Sequence, residues 1–573
     1  MVAMAHSDDP GGDVTADDAG EATLPAPRAR GSWDAWGTTP AALPAAAKAI
    51  ITTLLPGRAH PVPRRAVPVL PASRLTDGDI AALSALIGGS HVTREDAVRM
   101  QHLGGKSTPD LLRRRLDDAQ PAPDAVVSPA DHDEVVAVIR LCAEQGIAVV
   151  PFGGGTSVVG GVDPVRGAHR AVIALDLSRT AALLALDEVS LLATFGAGTT
   201  GPQAEELLGT RGFTLGHFPQ SFEYASLGGF AATRSSGQAS RGYGRFDDLV
   251  HALRVAAPAG DLVLGRSPAS AAGPDLRELF LGSEGAFGVL TEITVRIRPV
   301  PAATAYHAWS FADFASGAEA VRTATQRGIR PTVLRLSDET ETRVNAALGG
   351  HLMRMRGSLA IATFEGNSAD EAEATRDALH DVFAAHGATS RGEGPARSWE
   401  RGRFSSPALR DALLDAGVLA ETLETATTWL RLPALKDAVT SALTASLTAA
   451  GTKPIVLCHI SHVYPAGASL YFTVVAALTA DPQRQWADAK DAASRAIIDA
   501  HGTITHHHAV GRDHRPYLEA EIGALGVDVL RAVKAVLDPD GIMNPGTLVA
   551  APPAPPEGAA ATPSGRSGPA TRE

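Results

Sequence analysis

The chain has 573 residues, enough for two or three domains with cores of their own, and an ordinary globular balance of 45% hydrophobic and 20% charged residues. A formal charge of −12 excludes a global positive field for nucleic acid or anionic lipid, so an anionic substrate needs local basic groups. Two cysteines, Cys142 and Cys458, exclude a disulfide framework, and no apolar run nears the ~20 residues of a bilayer-spanning helix, which reads as a cytoplasmic protein.

Residues 1–30 and 551–573 are rich in small and polar residues without apolar periodicity and read as disordered ends. Residues 31–120 mix loops with short helical patterns around Trp33 and Trp36 and read as an extension packed on the main body. From 121 the signals sharpen. A short strand is predicted at 125–127, and Ser128-Pro129-Ala130-Asp131 supplies an N-cap, a first-turn proline and an acidic third residue. A helix then keeps Val135, Val138, Ile139 and Cys142 at helical spacing, Gly146 stops it, and 147–151 is a buried strand, completing a β-α-β unit. Further strands are predicted at 171–177, 191–195 and 290–297, the last alternating Ile293, Val295 and Ile297 with polar residues. This domain spans 121–301. Beyond Pro301, helical stretches at 313–327, 369–386 and 433–450 alternate with strands at 358–364 and 469–475. That pattern predicts an α+β cap over 302–500, with 501–550 returning to the first domain.

Directly after the strand at 147–151 stand Pro151, Phe152, Gly153, Gly154, Gly155, Thr156 and Ser157. Consecutive glycines permit positive φ and bring successive N–H groups against an anion, and the two hydroxyls add donors. The spacing is not the G-x-G-x-x-G of a Rossmann turn. Three more small-residue loops follow: Gln220, Ser221, Phe222, Glu223, Tyr224, Ala225 and Ser226; Thr233, Arg234, Ser235 and Ser236; and Glu284, Gly285, Ala286, Phe287, Gly288, Val289 and Leu290. In this order and at these separations the four loops resemble the FAD-binding domain of vanillyl-alcohol-oxidase relatives, the PCMH type. The resemblance implies a two-subdomain FAD domain in an α+β fold. In it the first loop wraps the pyrophosphate, the second and third line the adenine, ribityl and isoalloxazine, and the fourth closes over the adenine side.

The stretch 33–548 is similar to the alkyldihydroxyacetonephosphate synthase family, through Trp33-Asp34-Ala35-Trp36-Gly37, the flavin loop at 152–158, and His506-His507-His508-Ala509-Val510-Gly511. The resemblance implies exchange of the acyl chain of an acyl-dihydroxyacetone phosphate for a fatty alcohol, with FAD as a covalent electrophile holder and no net redox change. It assigns proton transfer to Tyr471, in Ala468-Ser469-Leu470-Tyr471-Phe472, and grip of the substrate's carboxylate or headgroup to Arg410, in Leu409-Arg410-Asp411. It also makes Arg335 important for activity through cofactor or domain packing, and gives all three histidines a part. It implies a homodimer, and a fatty substrate calls for an apolar tunnel or a mouth at a membrane surface. The sequence departs from the family at His459, where arginine is usual, and at Asn544-Pro545-Gly546-Thr547-Leu548.

A planar guanidinium grips a carboxylate or phosphate at two points. A buried tyrosine with an ordinary pKa of about 10 needs nearby cations or donors to act as a base, which the His tract could supply. On an extended strand His506 and His508 point one way and His507 the other, so one or two of them meet substrate. No metal is assigned, because no Cys, Asp or Glu partner stands at suggestive spacing. The alternative is an FAD-linked dehydrogenase of a 2-hydroxy acid, D-lactate or glycolate. Those enzymes carry H-x-G-D-G-N-L-H and S-G-E-H-G-I-G metal motifs, where this chain has Tyr471 in place of the second His and His507 in place of the Glu.

Overall fold

The computed structural model describes residues 32–37, positions 43, 45, 48 and 55, and 60–549 apart from 63, 65–66, 118 and 349–355. The expectations for 1–30 and 551–573 lie outside the described residues. In the first half, Ala125–Val127, Ala171–Asp176 and Ile147–Phe152 pair in parallel, with Val92–Thr93 antiparallel at one edge. Ala171–Asp176 lies between two partners and is buried along its whole length, which is why it is an unbroken apolar run. The crossover helix His132–Gln145 buries Val135, Val138, Ile139 and Cys142 in the same core and ends at Gly146 with φ 62°. It begins later than the sequence suggests. Asp131 is the cap, accepting from the Glu134 N–H at 2.9 Å, and the Glu134 carboxylate reaches back to the Ala130 N–H at 2.6 Å, a reciprocal pair that Ser128 has no part in.

A second, antiparallel sheet runs Leu183–Asp187, Leu192–Gly196, Val289–Arg296, Val250–Ala257, Gly260–Leu264. In Val289–Arg296 the residues Ile293 and Val295 are buried and Arg296 is exposed, the half-buried alternation read from the sequence. After Pro301 comes a seven-stranded antiparallel sheet in the order Thr389–Gly392, Ala303–Phe311, Ser358–Gly366, Val333–Ser337, Ile455–Val463, Gly467–Ala477, Val418–Thr428. Trp309, Leu336, Phe364, Ile460 and Phe472 pack in one core with the helices Phe314–Gln326, Ala369–Ala385, Leu432–Ala449 and Pro482–Asp499. Residues in the alternate register, among them Ile361, Arg335, His459, Tyr471 and Thr473, turn to the opposite face and roof a large cavity.

The chain then returns to the first half. The Val149 N–H donates to Ile542 O at 2.9 Å, and the Asn544 N–H donates to Val149 O at 2.8 Å, a parallel bridge beside Ile147–Phe152. No helix among the described residues is long and apolar enough to cross a membrane.

Candidate active site

A cavity of about 1310 Å³ lies between the two halves, above the roughly 300–1,000 Å³ of an ordinary ligand pocket and so roomy enough for a cofactor with a second ligand. Of the predicted cofactor loops, Pro151, Phe152, Gly153, Gly154, Gly155, Thr156, Ser157, Gln220, Ser221, Ala225, Ser226, Thr233, Ser235, Ser236, Glu284, Gly285, Gly288 and Leu290 face it. Phe222, Glu223, Tyr224, Arg234, Ala286, Phe287 and Val289 are not part of its wall. Phe222 stacks on Phe404 of the cap at 5.5 Å, and Tyr224 turns its ring to the edge of Trp36 at 6.0 Å, with Glu223 between them on the same turn. Arg234 pairs with Glu278 and Asp247, while Ala286, Phe287 and Val289 are spent on the hydrophobic core.

The first loop is built for close backbone approach. A Cβ at Gly154 would lie 2.0 Å from the Tyr224 carbonyl oxygen, and one at Gly155, φ 67°, would lie 2.7 Å from the Phe152 ring. Among the described residues no protein acceptor meets the N–H groups of Gly154, Gly155 and Thr156, and Nε2 of Gln220 is buried without a partner. Backbone donors that converge on a cavity without acceptors of their own suit a pyrophosphate, so these residues fit FAD. Behind them, burial lifts the Glu284 carboxyl to about 7 although it accepts from the N–H groups of Val510 and Gly511. The Asn544 amide donates to the carbonyls of Gly161 and Glu284 at 2.8 and 2.7 Å, so the C-terminal return ties two cofactor loops together.

Tyr471 stands on the roof strand Gly467–Ala477, directly across from Glu424 on one side and His459 on the other. Its ring stacks on His459 at 5.0 Å and lies 6.0 and 5.8 Å from His507 and His508. Burial pushes its phenol up to about 12, against a hydrogen bond from Thr422. Nδ1 of His459 donates to Glu341 at 3.1 Å, and Arg335 pairs with the same carboxylate. Burial works to raise Glu341, but the Arg335 and His459 charges bring it down to about 2. Arg335 therefore lines the cavity with its charge already committed to Glu341, and reaches Tyr471 only through His459.

The His tract is not a strand. Residues 505–508 curl around one fully buried carboxylate, Glu424, which accepts from Thr505 Oγ1 at 2.7 Å and from the N–H groups of His506, His507 and His508 at 2.5, 3.1 and 2.8 Å. The expected alternation of side chains is thereby lost: His507 and His508 both line the cavity, and His506 stands behind them against His462 and Tyr464. Burial works to raise Glu424 as well, but the Thr505 hydroxyl and the three backbone N–H groups that donate to it hold it well below the usual carboxylate range. Burial pushes the imidazoles the other way, His507 to about 4 and His506 to about 3, with His508 and His462 also lowered. Of the cations or donors that Tyr471 calls for, the tract thus supplies neutral imidazole donors at neutral pH. Nitrogen atoms of His462, His506 and His507 lie within 4.8 Å of one another, an imidazole cluster close enough to share a small ion. No spacing in the sequence announces it, because His462 arrives from the separate strand Ile455–Val463.

Arg410 faces the cavity from helix Ser406–Asp415, and its Nε and Nη2 are buried without a partner among the described residues. Its neighbour Asp411 accepts from the Trp36 N–H at 2.7 Å. Trp36 forms part of the cavity wall, and its segment is tied to the main body by Lys106, bound to the carbonyls of Ser32 and Ala35, and by Arg114, bound to Trp33 O. Trp36 is thus more than part of an extension: it stands in the cavity wall that also holds Arg410.

Comparison with known proteins agrees with this architecture. The FAD binding domain family matches residues 123–264, and the family of FAD linked oxidases, C-terminal domain, matches 300–548. Alkyldihydroxyacetonephosphate synthase of Trypanosoma brucei brucei is 33% identical over 511 residues, 85% of this chain and 83% of that protein. The Dictyostelium discoideum protein of the same name is 30% identical over 82% of this chain and 80% of its own length. The mitochondrial D-lactate dehydrogenase (cytochrome) of Arabidopsis thaliana is 29% identical over 74% and 73%. Among solved structures, an alkyldihydroxyacetonephosphate synthase superposes with TM-score 0.76 at 26% identity, over 90% of this chain and 98% of that one. p-Cresol methylhydroxylase, at 15% identity and TM-score 0.65, shares the fold. By its sequence, its FAD-binding fold and the loops that fit the cofactor, the chain belongs to the alkyldihydroxyacetonephosphate synthase family of FAD-dependent enzymes.

Proposed function

We propose that the protein exchanges the acyl chain of an acyl-dihydroxyacetone phosphate for a fatty alcohol. The observation that carries this reading is the unpaired Arg410 guanidinium set in the same cavity as Tyr471, beneath a roof with the apolar side chains Leu359, Ile361, Ile455, Leu457 and Val475. An anionic head and a long apolar chain are what such a wall accommodates.

FAD, held by the loops at 151–157, 220–226 and 284–290, would supply an electrophilic ring to the reaction. Arg410 takes the phosphate or the leaving carboxylate in a two-point grip. Tyr471 accepts the proton from C1 and returns it. Since burial keeps the phenol protonated, it gives its own proton to the neutral imidazole of His508 as it receives the new one. Arg335 and Glu341 fix His459 against the Tyr471 ring and so position the phenol. Glu424 holds the His loop, and its oxygens are taken by four donors, so it does not stand in for the carboxylate that a metal-dependent hydroxy-acid dehydrogenase would need.

The test is anaerobic incubation of the holoenzyme with palmitoyl-dihydroxyacetone phosphate and, separately, with D-lactate or glycolate. Fatty-acid release without flavin reduction, reduced by ~10² or more in Tyr471→Phe, is expected. Bleaching of the flavin by a hydroxy acid alone, with no fatty acid released from the lipid, would overturn the proposal in favour of the dehydrogenase.

A further inference from the structure

The exchange sets a proton balance. In R′COO–CH₂R + R″OH → R″O–CH₂R + R′COO⁻ + H⁺, the bond from C1 to the acyl oxygen breaks and the bond from C1 to the alcohol oxygen forms, with no change of oxidation state. The C1 proton is taken and returned by Tyr471 and cancels. The alcohol proton does not cancel: a fatty acid with a carboxyl pKa near 4–5 leaves as its anion at neutral pH, so one proton must leave the enclosed site in each turnover.

A hydrogen-bonded chain leads away from the cavity at one place. His507, in the cavity wall, has its Nδ1 3.0 Å from Nδ1 of His506, and Nε2 of His506 is 2.7 Å from the Tyr464 hydroxyl. The Tyr464 phenol meets the guanidinium of Arg245, a side chain 20% exposed that also pairs with Asp247. Tyr464 comes from the turn between two cap strands and Arg245 from the FAD half, so the chain follows the seam between the two halves. The tautomers along it are linked. Two Nδ1 atoms at 3.0 Å share a single proton, so the tautomer of His506 is fixed by that of His507. When His507 carries the Nδ1 proton, His506 accepts there and donates from Nε2 to Tyr464. When the proton has moved on, Tyr464 donates to Nε2 and His506 donates to His507. Nε2 of His507 has no hydrogen-bond partner among the described residues and remains available to the cavity.

Resting on the synthase reading, we infer that His507, His506 and Tyr464 form the proton exit of this enzyme: His507 removes the proton of the incoming alcohol, and His506 and Tyr464 pass it to solvent at the Arg245 edge. His507 is a catalytic residue in this role, and His506 and Tyr464 act through it. The first half of the reaction, loss of the fatty-acid anion, needs no proton exit and is independent of the relay.

The experiment uses holoenzyme in weak buffer with a pH indicator, in stopped flow. With acyl substrate alone, wild type and Tyr464→Phe should release fatty acid at the same rate. On adding hexadecanol, Tyr464→Phe should form ether product and release protons about 10-fold or more slower, with KM for the alcohol unchanged and a larger solvent deuterium isotope effect. His506→Gln, which keeps one polar atom in the ring's place, should behave alike and serves if the first variant is unstable. Equal ether formation and proton release in all three proteins would overturn the relay while leaving the synthase reading intact. Absence of fatty-acid release from the wild type would instead sink that reading. One equivalent of a divalent ion in purified holoenzyme, lost together with activity in His506→Gln, would also overturn the relay, because metal-bound nitrogens cannot pass a proton.

Discussion

Glu424→Gln is the most informative single change at this site, because one buried carboxylate holds the whole His loop. Its Oε1 accepts from Thr505 Oγ1 and from the N–H groups of His507 and His508, and Oε2 accepts from the N–H of His506. A glutamine can keep the first three acceptances through its carbonyl, each weakened from a charge-assisted bond of ~1.5–3 kcal/mol to a neutral one of ~0.5–1.5. Its amide then faces the His506 N–H, donor to donor, which leaves a buried donor unmet at ~1–3 kcal/mol. Loss of the buried charge recovers part of this, since an ionised carboxylate is costly to bury. A net loss of about 2–4 kcal/mol follows, or a fall in Tm of roughly 5–15 °C at about 2–4 °C per kcal/mol for domains of this size. Thermal unfolding followed by flavin fluorescence measures it, with the exchange activity assayed at a temperature where the variant stays folded. Activity should fall further than stability alone requires, because His507 and His508 lose the loop that aims them. A variant with wild-type Tm and turnover would refute the claim that Glu424 organises the tract.

Arg410→Lys keeps the charge and loses the planar fork; KM for the acyl substrate should rise ~10–100-fold with little change in the affinity for FAD, measured by steady-state kinetics and flavin titration. Gly154→Ala sets a Cβ 2.0 Å from the Tyr224 carbonyl and should cut the FAD content of purified protein severalfold, read from the ratio of flavin to protein absorbance; full loading would show that the loop has slack. Burial, and next the Arg114 charge, push Lys106 from the ordinary 10.5 to about 7. Between those values the unfolded chain binds more protons than the folded one, so wild type should gain stability over Lys106→Met as pH rises from about 7 to 10, by up to ~1.4 kcal/mol per pH unit. Paired denaturation curves at pH 7 and pH 9 check the sign, and a difference independent of pH would refute it.

What the sequence made legible was whatever depends on local pattern. Apolar runs and alternation located the strands Ala171–Asp176 and Val289–Arg296, and the roof strand carrying Tyr471, because burial on one or both faces writes itself directly into residue type. The glycine loop was legible for a similar reason: close backbone approach excludes side chains. Features set by long-range pairing were not legible. Glu424 carries no local signal, since its place across from Tyr471 follows from the register of two strands more than forty residues apart. The His tract looked like part of a strand because nothing local announces a loop wrapped around a carboxylate from elsewhere. Loop membership likewise does not show which side chains face inward: Arg234 pairs with Glu278, Phe222 stacks on Phe404 and Phe287 packs in the core.

The charge account of the site explains how a protein of net charge −12 can hold an anionic substrate. The cavity wall includes Arg335, Arg391, Arg401, Arg403 and Arg410, but most of them are engaged. Arg335 is spent on Glu341, Arg391 donates to Ser310, and Arg403 lies over the rings of Phe218 and Phe404. Arg401 is exposed at the surface, where solvent screens it. Arg410 differs in having buried nitrogens that no described protein acceptor meets. A buried guanidinium with open donors costs free energy until an anion arrives, so the fold keeps this one unsatisfied and spends the others. Selectivity for an anionic head then comes from a vacancy in the hydrogen-bond pattern and not from an excess of positive charge.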